Sequence, residues 1–204
     1  MKTIFTFIFT TIIITLSAQE SIMSELKKVF YSLPIDSNVE NIIEAAKQVE
    51  QLAEIDYESE PFEPYFQGTF TTNNYFQIKP ISGNMEIFIS NYGLAGQYVD
   101  SLQVIYLSLY FGNKLTKEIL NEYKRLITIF ENLTTKITQH EYYADSGKIG
   151  YGKNFYLNKE DELPIIAIKI GLGSCTSDIK SITISYYKKL SLTKTIRNSV
   201  KGSN

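Results

Sequence analysis

Apolar residues recur every three to four positions in three stretches of the chain, a spacing that predicts amphipathic helices. The first helix is expected over residues 21–31. The second follows a capping-box pattern in which Ser37 and Glu40 satisfy amide groups at the helix start. Its apolar face comprises Val39, Ile42, Ile43, Ala46, Val49, Leu52 and Ala53. The third begins near Thr116 and has the most regular set: Ile119, Leu120, Tyr123, Leu126, Ile127, Phe130 and Leu133.

Runs rich in Ile, Tyr and Thr, bounded by polar breaks, predict eight strands. They are expected at residues 65–71, 75–81, 85–92, 101–111, 137–144, 148–157, 165–171 and 181–190. Breaks such as Asp145-Ser146-Gly147 suit hairpin turns, because Asp and Gly tolerate the backbone conformations of tight turns. Hairpin connections without crossovers predict an α+β fold, with an antiparallel sheet and helices packed on one face.

The two halves of the chain are similar at a constant offset of 80 positions, which we call the sequence offset. It aligns Asp36 with Thr116, Gly93 with Gly173, Val104 with Ile184 and Tyr106 with Tyr186. Ordered similarity of this kind predicts a tandem repeat of a helix followed by four strands. The alternative is one continuous sheet whose halves look alike because helices and strands have generic patterns.

Residues 1–19 have the order of a secretory signal peptide. One early charge, Lys2, precedes an apolar and threonine stretch that ends in the small residues Ser17 and Ala18. The stretch is shorter than the roughly 20 residues that a membrane-spanning helix needs. We expect cleavage after Ala18 or Gln19, and a mature chain outside the cytoplasm with no transmembrane segment. The alternative is a retained N-terminal anchor.

These patterns divide the chain into five segments. The signal peptide at 1–19 and an N-terminal helical segment at 20–33 precede a first repeat unit at 34–112 and a second at 113–192, and a flexible basic tail follows at 193–204. Each unit resembles in outline the inhibitor-type folds of the cystatin and β-lactamase-inhibitor-protein kind. The resemblance is one of architecture, because no family motif matches residue by residue, and a shared fold does not carry function.

Charged residues are distributed unevenly between the halves. The formal net charge of the chain is -2, and loss of Lys2 with the signal peptide leaves 19 basic against 22 acidic residues, or -3. Residues 34–112 contain 11 acidic and two basic residues (-9), whereas residues 113–192 contain nine acidic and 12 basic (+3). The acidic half is expected either to align with the other half or to attract a basic partner. The alternative is that both surfaces are simply solvated.

Side chains that commonly catalyse reactions or bind metals are scarce. His140 is the only histidine, and no second histidine or cysteine lies at metal-ligand spacing from it. The only cysteine, Cys175, cannot form an internal disulfide, which is more typical of a bacterial periplasmic or surface protein than of an animal secreted protein. The sequence predicts no catalytic residue, no metal site and no cofactor. Nucleic-acid binding is not expected either, because no basic stripe with interleaved aromatics is visible.

One segment combines acidic and aromatic residues in a pattern that suits binding. Two prolines prevent regular strand pairing between residues 56 and 64. The candidate binding residues are Asp56, Tyr57, Glu58, Glu60, Phe62, Glu63 and Tyr65. Aromatic side chains supply contact area, and carboxylates select a basic patch on the partner. The alternative is a loop whose aromatics cover the sheet edge. Tyr106, Tyr110, Tyr186 and Tyr187 pose a similar choice between the core and an exposed sheet face.

These observations favour an exported, non-enzymatic protein that binds or inhibits another protein through a sheet face or through the acidic segment. A specific form is an immunity-type protein that neutralises a toxic enzyme outside the cytoplasm. One alternative is an extracytoplasmic hydrolase that uses carboxylates with His140 as the base. Another is a structural, envelope-associated protein without a discrete site.

Overall fold

The computed structural model describes residues 18–49, 52–55, 65–68, 75–78, 85–90, 102–111, 116–144, 147–172 and 179–189. These residues form three helices and one eight-stranded antiparallel sheet, so the predicted α+β class is confirmed. None of the helices in this part of the chain has the length and apolar character needed to cross a membrane.

The elements alternate between helices and groups of four strands. Helix α1 covers residues 18–29, and α2 covers Val39–Lys47. The next four strands are β1 (Leu52–Ile55), β2 (Tyr65–Gly68), β3 (Met85–Ser90) and β4 (Leu102–Tyr110). Helix α3 (Thr116–Glu131) is followed by β5 (Lys136–Ala144), β6 (Gly147–Tyr156), β7 (Ile166–Leu172) and β8 (Ile179–Lys189).

The strand order across the sheet is β1-β2-β3-β4-β8-β7-β6-β5. Strand β4 pairs with β8 at the centre, with Leu102 opposite Lys189 and Tyr110 opposite Ser181. Each half of the sheet is therefore built from hairpin-connected neighbours, and the two halves meet along their last strands. Strands β1 and β5 form the two outer edges.

One face of the sheet packs against the helices. Apolar side chains of all three helices join alternate residues of the strands in a single buried cluster, whose members include Ile22, Leu26, Phe30, Ile42, Phe130, Ile105, Leu107, Ile168 and Ile184. Helix α3 lies over β6, β7 and β8. This arrangement follows from the two periods in the sequence, because a helical stripe and every second strand residue are buried together.

Helix α2 differs from the sequence prediction at both ends. Its capping residue is Asn38 rather than Ser37, because the Asn38 side chain accepts a 2.9 Å hydrogen bond from the amide of Asn41. The helix ends at Lys47, whereas the apolar spacing extended it to Ala53. Residues 52–55 instead pair with β2, and such long-range pairing overrides a helical period within one segment.

The predicted strand over residues 75–81 is wrong in its described part, because residues 75–78 form a turn. Side chains of α3 satisfy backbone groups that a strand partner would otherwise satisfy. Arg125 donates a 2.9 Å hydrogen bond to the carbonyl of Tyr75, and the amide of Gln77 donates to Glu122 at 3.3 Å. The turn is thereby attached to α3, and Phe76 is buried in the core.

The sequence offset fails in the central strand pair. Ile105 and Tyr186 are direct partners, and both side chains lie in the helix-covered cluster. Tyr106 follows Ile105 in the strand and therefore faces the opposite side of the sheet. Tyr106 and Tyr186, which the sequence offset aligns, thus lie on opposite faces and are not equivalent. In this strand pair, the odd-numbered residues of β4 and the even-numbered residues of β8 face the helices. An odd offset is therefore needed to align residues that share a face, and the sequence offset is even.

Candidate functional site

The second face of the sheet, opposite the helices, carries tyrosines where the first carries aliphatic side chains. Leu102, Val104, Ala167 and Tyr187 form a separate buried cluster there, and Tyr106 packs against it. None of the described helices contributes a side chain to this cluster. We call this surface the tyrosine face and define it by Tyr106, Tyr142, Tyr156 and Tyr187, which lie on four of the five strands β4 to β8.

Small side chains form the floor between these tyrosines. Strand pairing places Gly152 opposite Lys169, and Lys169 in turn opposite Thr183. The neighbouring rows contribute Asn154, Ala167, Ser185, Gly150, Gly171 and Ser181 to the same face. Short residues therefore lie between long aromatic ones on this face.

Two glycines of β6 are required by the close approach of β7. A Cβ atom at Gly150 would lie 2.3 Å from the carbonyl oxygen of Ile170, and one at Gly152 would lie 2.5 Å from that of Ile168. Both distances are far below van der Waals contact, and the obstacle is backbone. Any side chain here therefore requires the two strands to move apart, and glycine keeps the floor bare.

The tyrosine hydroxyls lie near one another in a desolvated setting. The pKa of Tyr187 is raised, chiefly by burial and further by the neighbouring Tyr106, Tyr142 and Tyr156. Burial also raises the pKa of Tyr142. The hydroxyl groups of Tyr142 and Tyr187 therefore stay protonated near neutral pH and are available as hydrogen-bond donors.

Two lysines lie over tyrosine rings on this face. The Nζ atom of Lys169 is 4.5 Å from the ring centre of Tyr142, and that of Lys136 is 4.5 Å from the ring centre of Tyr156. Lys136 also donates hydrogen bonds of 3.0 and 3.1 Å to two backbone carbonyls of the β6–β7 connection. Among the described residues, Lys169 has no carboxylate or carbonyl acceptor, and burial lowers the pKa of its ammonium group.

Asn154 is a second polar side chain on this face without a described partner. It is 1% exposed, and its Oδ1 atom accepts no hydrogen bond within the described chain. Buried polar groups in native proteins are nearly always paired, and an unpaired one costs about 1–3 kcal/mol. The amide oxygen of Asn154 is therefore an unpaired acceptor enclosed within the sheet, and a partner cannot reach it without rearrangement of its neighbours.

A groove of about 920 Å³ adjoins the tyrosine face at the ends of the central strands. Helix α1 lines one side of it with Glu20 and Met23, and the β6–β7 connection lines the other with Leu163. Leu102 and Tyr187 belong both to this groove and to the cluster on the tyrosine face. The groove therefore continues the tyrosine face towards the helices.

His140 lies exposed on the edge strand β5, and its Nε2 atom is 2.9 Å from the hydroxyl of Thr138. Cys175 lies outside the described residues. Within the ranges that the structure describes, no group of three or more His, Cys, Asp or Glu side chains is arranged to hold a metal ion. The contacts described for His140 include no carboxylate, which the hydrolase alternative requires.

Most of the predicted acidic site lies outside the described residues. These residues are Asp56, Tyr57, Glu58, Glu60, Phe62 and Glu63. Tyr65 is the first residue of β2 and pairs with Ile55 on one side and Phe88 on the other. Binding by this segment stays a prediction.

For the central tyrosines, the structure decides between core and sheet face. Tyr186 is buried in the helix-covered core, whereas Tyr106 and Tyr187 lie on the tyrosine face. Sequence reasoning missed Lys169 as a candidate binding residue. One signal for Lys169 was present, because a lysine inside the apolar run of β7 indicates a face with polar character.

Comparisons of the chain with protein-family models, with curated proteins and with solved structures found no match. Similarity to a known protein therefore supplies no function. The chemistry of the tyrosine face is the basis for one.

Proposed function

We propose that this chain is a non-enzymatic module that binds another protein through the tyrosine face and thereby inhibits or neutralises it. The observation that carries the proposal is the face itself: tyrosines surround small side chains, Lys169 contacts a tyrosine ring but has no described counter-ion, and no described helix joins the apolar cluster there.

The composition of the face suits protein recognition. Tyrosine is enriched at protein interfaces because it combines a large apolar ring with a hydrogen-bonding hydroxyl, and it loses little conformational entropy on binding. Strands β4, β8, β7 and β6 are each paired on both sides. Most of the backbone beneath the tyrosines is therefore ordered before a partner arrives. A preformed surface reduces the free-energy cost of binding.

The proposed site of action is outside the cytoplasm. The apolar stretch within residues 1–19 supports export, because it has the order and length of a signal peptide. An immunity-type role, in which the chain neutralises a toxic enzyme, is the specific form that we propose. The test is sequencing of the N-terminus of the exported chain, and a chain that still begins at Met1 would contradict export by cleavage.

We further propose that the fold arose by duplication of a helix-plus-four-strand unit, with an offset between the inner strands that is one position shorter than the sequence offset. This register offset aligns Ile87 with Ile166 and Leu107 with Tyr186. Ile87 pairs with Leu107, and Ile166 pairs with Tyr186 in the same way. The outer strands do not follow this offset, because the loops of the two halves differ in length.

With the register offset, Tyr106 corresponds to Ser185, and these two residues are direct partners in the central strand pair. A pseudo-two-fold axis through that pair would therefore pass through the tyrosine face. Related sequences provide the test: a profile built from them should align with itself so that Tyr106 falls on Ser185. Self-alignment that places Tyr106 on Tyr186, or no self-alignment, would contradict the duplication.

A capture experiment tests the proposed binding. The chain from residue 20 onward is immobilised and exposed to secreted proteins of the organism that makes it, and captured proteins are quantified by mass spectrometry. We expect Tyr142→Ser to lose a specific partner, because the substitution removes one wall of the tyrosine face.

Tyr143→Ser is the matched control. Tyr143 is 65% exposed, and its hydroxyl donates a hydrogen bond to Glu141. Glu141 belongs to the helix-covered face, because its strand partner Tyr151 packs against Tyr123 of α3. Capture should therefore survive this substitution. Equal capture by the two variants, both verified as folded by circular dichroism, would contradict a binding role for the tyrosine face.

A further inference from the structure

We infer that the tyrosine face receives an acidic segment of a protein partner, in which a carboxylate binds Lys169. The inference rests on the proposed function and specifies the chemistry of the partner. It differs from the sequence-based expectation of a basic partner, which came from the acidic segment at residues 56–64.

Lys169 differs from two other partly buried cations in the described chain. On the helix-covered face, Arg125 bonds Glu122 at 2.5 Å, and Lys153 bonds Glu131 at 2.6 Å. The described contacts of Lys169 include only an aromatic ring. A cation that is shielded from water without a counter-ion is unfavourable, and a carboxylate from a partner removes that cost.

The charge on the β4 to β8 part of this face is complementary to an acidic segment. On strands β4 to β8, the described positions of this face carry no Asp or Glu, whereas Lys136, His140, Lys169 and Lys189 occupy positions on it. Glu141, the acidic residue of these strands, is opposite Tyr151 and belongs to the other face. Complementary charge guides the orientation and rate of association.

A titration with a defined peptide tests this inference. Fluorescein-labelled deca-glutamate is titrated with the chain from residue 20 onward, and binding is followed by fluorescence anisotropy. Deca-glutamine and deca-lysine of the same label serve as neutral and basic probes. We expect binding of deca-glutamate alone, and loss of the anchoring charge in Lys169→Met should weaken it by about tenfold or more.

Lys153→Met is the matched control, because it also removes a strand lysine but one that is paired with Glu131 on the helix-covered face. Its affinity for deca-glutamate should equal that of the unchanged chain. Lys169→Gln, a polar replacement, guards against misfolding of the methionine variant, and thermal unfolding of every variant is measured. Unchanged affinity in both Lys169 variants would overturn the inference.

Two further outcomes would also overturn it. Tighter binding of polygalacturonate than of deca-glutamate would indicate an acidic polysaccharide instead of a protein segment. Tighter binding of deca-glutamate after Glu58, Glu60 and Glu63 are all changed to Gln, without any such gain when Lys169 is also changed to Met, would indicate that the acidic segment of the chain itself occupies the face.

The capture experiment separates this inference from the proposed function. If Tyr142→Ser abolishes partner capture and Lys169→Met does not, the tyrosine face binds a partner that is not acidic at this point, and only the inference fails. If neither substitution affects capture, the proposed function fails as well.

Discussion

The two faces of the sheet bury their side chains in different ways. On the helix-covered face, aliphatic and phenylalanine side chains fill the space, and the buried carboxylate of Glu122 lies 2.5 Å from the partly buried guanidinium of Arg125. On the tyrosine face, polar rings surround small residues, Lys169 has no described counter-ion, and the Oδ1 atom of Asn154 has no described donor. The first face pairs its buried charge, as expected in a protein interior, and the Oε1 atom of Gln103 is a buried polar atom there without a described partner. The second has the composition of a protein-binding surface without its partner.

The difference indicates where stability and recognition reside. Pairing and apolar burial on the first face lower the free energy of the fold itself. Unpaired polar groups on the second face raise it, and they persist in proteins where binding gives a compensating gain. Substitutions on the two faces should therefore change stability by different amounts and, in one case, with opposite sign.

The largest loss is expected on the helix-covered face. Phe155 is fully buried, with its ring centre 6.1 Å from that of Phe130. Phe155→Ala should lower the free energy of unfolding by about 3–5 kcal/mol, because it creates a cavity in a packed core. Urea unfolding measures the change. Asn154→Ala, at the adjacent position on the tyrosine face, should cost less than about 1 kcal/mol, because no described hydrogen bond of its Oδ1 atom is lost. Similar losses for the two variants would remove the contrast between the faces.

A somewhat smaller loss is expected when the buried ion pair is broken. Arg125→Met leaves the carboxylate of Glu122, which is 1% exposed, without its counter-ion and should destabilise the fold by about 3 kcal/mol. The exposed pair of Lys28 and Glu25 is the control, since Lys28→Met should change stability by less than about 1 kcal/mol. Thermal and urea unfolding of both variants provide the comparison. A negligible effect of Arg125→Met would mean that this ion pair does not stabilise the first face.

A small effect of opposite sign is expected on the tyrosine face. Lys169→Met should raise the free energy of unfolding by about 1 kcal/mol near neutral pH, because it replaces an unpaired cation with an apolar side chain of similar length. Burial lowers the pKa of Lys169 in the folded state below its ordinary value of 10.5, so folding disfavours its charged form. That penalty is fully present below the folded pKa and fades as pH rises towards 10.5. The advantage of the variant should therefore shrink in alkaline solution, and urea unfolding at several pH values measures this. A destabilised Lys169→Met variant would contradict the reading of Lys169 as an unpaired cation.

Much of the fold was predictable because its signals are local. Helix α3 and strands β6 to β8 follow regular periods of apolar residues, and their observed bounds lie close to the predicted ones. Residues 75–78 were mispredicted because their backbone is satisfied by Arg125 and Glu122, which lie far away in sequence. Pattern within one segment cannot show that kind of partner.

The candidate site was harder to predict because it depends on which face the helices cover. Alternation shows that Tyr186 and Tyr187 point to opposite sides of a strand, but only the packing of the helices shows which one enters the core. The same limit explains the error in the sequence offset. An alignment by residue type accepted Tyr106 with Tyr186, whereas strand register requires partners such as Ile105 and Tyr186 to share a face.

The two glycines of β6 have a consequence for how this chain can change over evolutionary time. The carbonyl oxygens of Ile168 and Ile170 occupy the space that a methyl group would need, so Gly150 and Gly152 are expected to be invariant among descendants. The aromatic residues around them are free to vary as their partner varies. In a deep mutational scan, substitutions of the two glycines should accordingly abolish expression. Substitutions of the surrounding aromatic residues should alter partner selectivity without loss of expression, which would assign recognition to those residues.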